Sequence, residues 1–175
     1  MNDLLQKLSD DISALTIMAI VNEWKAQGHN LTGKAINEIE TVVKFNINEL
    51  TITGLVLDYM AINNRGVPAN KIPYYPGSGR KESEYIKGLM KYVQQRMGKS
   101  EKESKSIAFA IASKHKKEGM PTRASARFSS TGKRTGFIET ALNKIEPELK
   151  NLIEKSIIYS IELTITTFYK SILNR

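Results

Sequence analysis

A chain of 175 residues and 19.7 kDa has room for one domain, or for one domain with a long arm. Hydrophobic residues make up 41% and charged residues 25%, which is enough to bury a core and excludes wholesale disorder. With no cysteine, disulfides, thiolate metal sites and cysteine nucleophiles are excluded, and the formal net charge of +8 points to a polyanionic or acidic partner.

Two histidines, His29 and His115, make a histidine metal cluster improbable, and neither has a His or carboxylate at a recognised ligand spacing. Both are read as surface residues. No apolar run reaches the roughly 18 residues that cross a bilayer, so no membrane partner is expected. The opening MNDLLQKLSDDIS carries acids where a secretory leader needs positive charge.

The positive charge is concentrated. Residues 1–65 carry 5 basic and 8 acidic side chains, residues 66–135 carry 16 and 5, and residues 136–175 carry 5 of each. The ends therefore read as packing material, and the middle as a surface that meets negative charge, a solvated face or a mobile segment.

In chain order, residues 3–27 read as a helix. Asp3 is placed to cap it, and Leu5, Leu8, Ile12, Leu15 and Ala19 recur at three- and four-residue steps. Gly28 stops it, and Thr32 fits as N-cap of a second helix, TGKAINEIE, with Ile36 and Ile39 on one face. The period then changes. Val43, Phe45 and Ile47 alternate with Lys44, Asn46 and Asn48 as in a half-buried strand, and LTITGLVLD (50–58) reads as a second strand with Gly54 a candidate bulge. YMAINNRG fits a strand extension or a helical turn.

Residues 66–81 hold three of the five prolines and three glycines, and form a long loop. Its Ile72, Tyr74 and Tyr75 are too apolar for a linker and are expected to pack on the domain or on a neighbouring subunit. Residues 82–97 give the clearest helix, with Ile86, Leu89, Met90, Val93 and Met97 on one stripe and Gly98 at its end. Ser100 with Glu103 forms a capping box for a helix to Glu118, its Ile107, Ala108, Ile111 and Ala112 facing inward. Gly119 and Pro121 stop it, and 119–135 follows as a basic loop.

Thr135 is placed to cap a last helix carrying Phe137, Ile138, Ala141, Leu142, Ile145, Leu149 and Leu152, which Pro147 should kink or interrupt. From Ile157 the pattern fits a strand (Ile157, Tyr159, Ile161, Leu163, Ile165) or a helix (Ile158, Ile161, Ile165, Phe168, Ile172). Run length favours the helix. The expected fold is α+β: several amphipathic helices packed on a small antiparallel sheet. One domain spans 1–150 with long loops at 66–81 and 119–135, and residues 151–175 form a C-terminal arm or helix extension suited to another chain.

Motifs for catalysis do not assemble. GHNLTGKA (28–35) has the glycine and lysine spacing of a phosphate-binding loop. However, Ala35 stands where a magnesium-holding hydroxyl is required, and NEWKAQ precedes it in place of a buried strand. GSGRK (77–81) lacks the strand and third glycine of a dinucleotide fingerprint. Glu38 with Glu40 and Glu146 with Glu148 read as solvating charges, and no nucleophile, base and orienting group can be grouped. Trp24 reads as a core lid, and Met90, Tyr92 and Met97 as core. The strongest positive feature is Lys114, Lys116, Lys117, Arg123, Arg127, Lys133 and Arg134, with Phe128 the one aromatic among them and Glu118 the one acid between 114 and 134. That set suits phosphate-backbone contact without base readout, or an acidic protein surface.

Three segments carry a resemblance: LTGKAINEIE after the leading helix, SIAFAIASKHKKEGMPTR, and TGFIETALNKI. Together, over residues 20–150, they resemble small neck proteins of tailed bacteriophages, the head–tail connector and tail-completion proteins, those of crAss-like phages among them. The shared motifs are packing motifs and carry no catalytic signature, and residues 151–175 lie outside the likeness. The resemblance implies a non-enzymatic structural subunit without cofactor or metal, made in the host cytoplasm and residing in the virion neck or tail. Such proteins form homo-oligomeric rings of about six or twelve copies, contact the portal and adjacent neck or tail proteins, and surround the DNA channel. In that setting Ile72, Tyr74, Tyr75, Ile161, Ile165 and Phe168 become candidate subunit-interface residues. The seven basic residues face DNA or an acidic neighbour. The alternative from charge alone is a sequence-nonspecific nucleic-acid-binding protein.

Overall fold

The computed structural model describes residues 2–46, 49–77 and 82–173. The fold is α+β: α-helices and one two-stranded antiparallel sheet. In order they are α1 (Asn2–Ala26), α2 (Lys34–Asn37), β1 (Glu40–Asn46), β2 (Glu49–Leu55), α3 (Asp58–Arg65), α4 (Glu84–Met97), α5 (Glu101–Glu118) and α6 (Phe137–Leu173). The contacts divide the chain into two compact units of interleaved segments. The first comprises residues 1–23, 38–56 and 138–175, and the second 24–37 and 57–137.

In the first unit, α1 buries Leu8, Ile12 and Leu15 of the expected stripe together with Ile20, whereas Leu5 is exposed and Ala19 half-buried, and α6 buries Ala141 and Ile145. A buried Glu23 on α1 receives the Lys144 ammonium of α6 at 2.6 Å. The hairpin pairs Glu40 with Leu55 through Asn46 with Glu49. Side chains on β1 alternate between exposed and half-buried, as the sequence pattern of Val43 and Phe45 requires. Gly54 sits in register opposite Thr41, so the expected bulge is absent from the described pairing. Ile47 and Asn48 of the expected alternation lie outside the described residues.

In the second unit, α4 packs on α5 through Ile86, Met90, Ala108 and Ala112, with Tyr74, Tyr85, Leu89 and Phe109 at the margin. The small Ala108 and Ala112 let the two helices approach. Ser83 caps α4 and Gly98 ends it in the left-handed conformation. Ser100 and Glu103 make the reciprocal capping box of α5. Segment 66–77 is tied to residue 120 by paired backbone hydrogen bonds between Val67 and Met120. A side chain at Gly119, φ +86°, would run into the Val67 carbonyl. YMAINNR resolves as α3, and residues 123–128 within the basic loop form a 3-10 helix.

Two expectations are corrected, and the helix favoured for the tail is found. The helix capped at Thr32 shrinks to the four residues of α2, because the chain must already be extended at Glu40 to enter the β-branched run of β1. Pro147 does not interrupt α6. The carbonyl it deprives of a partner belongs to Asn143, and both residues are exposed, so water replaces the lost bond. The stretch from 157 to 173 is helical.

Candidate anion-binding cleft

The second unit contains a cleft of about 1070 Å³ whose lining comes from five separated stretches of sequence, α3 among them through Tyr59 and Asn63. Trp24 and the Gly28–Ala35 turn form one wall. On α4, Tyr92 and Arg96 stand one turn apart on the side away from the buried Ile86, Met90 and Val93. On α5, Ile107, Ile111 and Lys114 continue the stripe beside Ala108 and Ala112. The segment from Met120 to Arg134 closes the remaining side with Arg127 and Phe128.

Trp24 anchors the wall. It is 1% exposed, stacks on His29 at 4.5 Å between ring centres and meets the edge of Phe137 at 5.0 Å. The His29 Nε2–H donates to the Arg134 carbonyl at 3.1 Å, which fixes the neutral tautomer. Burial, then the Arg134 charge, lower its pKa to about 4 against that hydrogen bond. His115 is also half-buried; its Nδ1 and the Tyr85 hydroxyl share a hydrogen bond of 2.6 Å, and burial lowers its pKa. The reading of both histidines as plain surface residues is therefore corrected. Burial likewise pushes the Tyr85 hydroxyl up to about 12.

Six cations line the cleft: Lys34, Lys91, Arg96, Lys114, Arg127 and Arg134. Among its described lining residues there is no Asp or Glu. Arg96 donates to the Asn30 carbonyl at 3.0 Å. The Arg134 guanidinium is half-buried beside Gly28, and its Nε has no hydrogen-bond partner among the described residues. Burial lowers the pKa of Arg134; Tyr92 opposes that shift and the nearby Arg96 adds to it. Both guanidiniums belong to the lining of the same cleft. Neither takes part in any of the ion pairs recorded among the described residues.

The seven basic residues singled out in the sequence are not brought together. Lys114, Arg127 and Arg134 enter the cleft; Lys114 also pairs with Glu118 at 2.6 Å, and Arg127 lies over the Phe128 ring at 4.8 Å. Lys116 instead donates to the Ile72 carbonyl at 3.0 Å and covers the Tyr75 ring at 4.7 Å. Lys117, Arg123 and Lys133 are exposed outside the cleft lining. Arg96 and Lys91 were missed, since each lies in a segment of ordinary mixed charge, and Lys34 was noted only as the lysine of the GHNLTGKA spacing. Tyr92 and Met97, read as core, are exposed at the cleft; Met90 is core as read.

Of the expected interface residues, Ile72 is buried and Tyr74 sits against the α4–α5 cluster, so both are committed within the second unit. Tyr75, Ile161, Ile165 and Phe168 are exposed. Among the described residues no group of three or more His, Asp or Glu could hold a metal, and no helix is long and apolar enough to cross a membrane. Glycines of the GSGRK segment beyond Gly77 lie outside the described residues. No family model, curated protein sequence or solved structure matches this chain.

Proposed function

We propose that the chain is a structural subunit of a tailed-phage virion neck or tail, forming a ring that joins portal to tail around the DNA channel. One observation carries the assembly part of this reading. Along residues 157–173 every described residue but Ser160 is exposed, and the stripe Ile158, Ile161, Ile165, Phe168 and Ile172 repeats with alternating steps of three and four. That is the spacing of a helix seam meant for another helix. Burying five such side chains contributes roughly 8–15 kcal/mol gross, comparable to the cost of association. The seam is therefore worth covering only if a second chain covers it. The neck identity rests on the resemblance of residues 20–150, and a long helical arm suits a closed heterologous ring.

Mass measurement by light scattering, together with images of the purified particle, tests the reading. The expected result is a closed ring of about six or twelve copies, and Ile161→Glu with Ile165→Glu and Phe168→Glu should leave monomers with the far-UV spectrum of the folded core. A wild-type chain that stays monomeric at high concentration, alone and with portal protein, would overturn it.

A further inference from the structure

The cleft makes a second, separate statement. It is built wholly from the second unit, and the exposed stripe of α6 contributes nothing to it. We infer that the cleft is a binding site for the phosphate groups of a nucleotide or short single strand, held by the Arg96 and Arg134 guanidiniums, with exposed aromatic rings beside them for the base.

Charge comes first. A half-buried guanidinium whose Nε has no partner, in a cleft with five further cations and no carboxylate among its described lining residues, is an arrangement that an anion from outside stabilises. Guanidinium forks match the oxygens of phosphate in a bidentate manner, and the cleft lining takes one from α4 and another from the segment before α6. The other four lining cations extend the positive field along the cleft, more than one carboxylate would need. Phosphates spaced along a strand would use it.

Shape comes second. Tyr59, Tyr92 and Phe128 line the same cleft with exposed rings, and their faces accept any base by stacking. Pockets for drug-sized ligands run to about 300–1,000 Å³, so this cleft has room for a nucleotide or a short stretch of strand. The geometry of the wall is specific. A side chain at Gly28 would strike the Phe128 backbone carbonyl and crowd the Arg134 guanidinium, so glycine there keeps Arg134 beside the turn.

The test uses the full chain and a fluorescein-labelled oligothymidylate of about fifteen residues, read by anisotropy. Unlabelled dTMP, inorganic phosphate and oligoglutamate are the competitors. The wild type should bind the oligonucleotide. Arg96→Gln with Arg134→Gln should weaken binding at least about tenfold and flatten the salt dependence by about two phosphate contacts. Lys7→Gln with Lys155→Gln removes the same charge from the first unit and should change affinity less than about twofold. Arg96→Gln alone, at an exposed position, should show about half the logarithmic loss with unchanged Trp24 emission, which separates site loss from unfolding. Competition by dTMP at equal phosphate concentration assigns the site to free nucleotides, and a requirement for the oligomer assigns it to strands; either supports the inference. Equal losses in both double variants, absence of binding, or displacement by oligoglutamate as readily as by dTMP would overturn it.

Discussion

Acidification should destabilise this protein through His29, and the size of the effect can be worked from its surroundings. The ring is stacked on Trp24, donates from Nε2 to the Arg134 carbonyl and has a guanidinium beside it. Protonation places a second positive charge against Arg134 in a partly desolvated site. The folded pKa, about 4, lies below the ordinary 6.5, so between these values the unfolded chain binds more protons. The stabilising contribution is therefore complete above pH 6.5 and is lost as pH falls toward 4. Each tenfold in proton affinity is about 1.4 kcal/mol, which sets a ceiling near 3.4 kcal/mol. Solvent still reaches the ring, and screening reduces the expected loss to about 2 kcal/mol. Urea titrations followed by the emission of Trp24, the one tryptophan, at steps from pH 7 to pH 4 measure it directly. His29→Phe keeps an aromatic ring against Trp24 but cannot titrate. It should be less stable at pH 7 through the lost hydrogen bond, yet its pH slope should be shallower by the same 2 kcal/mol over the window. His115 and the carboxylates contribute equally to both proteins and cancel in the comparison. Superimposable pH profiles for wild type and variant would refute the reasoning.

Two further substitutions probe the packing. Lys144→Met strips the ammonium from Glu23, which is 2% exposed. Glu23 has other interactions and Lys144 is itself largely in water, so the expected cost is about 1–3 kcal/mol, with part recovered on adding Glu23→Gln in a double-mutant cycle by urea denaturation. A single-variant cost below about 0.5 kcal/mol would show that the pair contributes nothing. Gly28→Ala forces a left-handed alanine at φ +71° against the Phe128 carbonyl, and should cost at least about 2 kcal/mol, or about 4–8 °C in a thermal melt. An unchanged melting temperature would mean that the turn relaxes freely.

The parts of the fold that local chemistry decides were legible in the sequence. The capping box at Ser100 and Glu103, the glycine stops at 28, 98 and 119, and the alternation of Val43 and Phe45 each act over a few residues, and each is found where the pattern puts it. Expectations failed where a distant or solvent term decides. At α2 the demand of the hairpin outweighed an acceptable helix pattern, and at Pro147 the helix continues despite the rung the proline removes. The cleft was legible only as a sign of charge. A run of basic residues between 114 and 134 marked one wall, but the cleft also takes Arg96, 38 positions from Arg134 on a helix that reads as neutral packing. Nothing in linear spacing links those two. The turn at Gly28–Gly33 had looked like a phosphate loop of the wrong chemistry, yet it supplies backbone to this wall. Trp24 was correctly placed as buried, and the neutral state of His29 followed only once its stacking partner and the Arg134 carbonyl were known.

The unbroken run of α6 has a mechanical meaning. From Ile145, held in the interior of the first unit, to Phe168 the helix axis measures about 35 Å. A displacement imposed at the far end has one marked place to bend, Pro147, where the ladder of carbonyls and amides lacks a rung. Such a rod works as a lever: a pull of a few ångströms on Phe168 arrives at Ala141 and Ile145 as a tilt, less any bend at Pro147, and whatever grips the tip has a handle on the interior of the first unit.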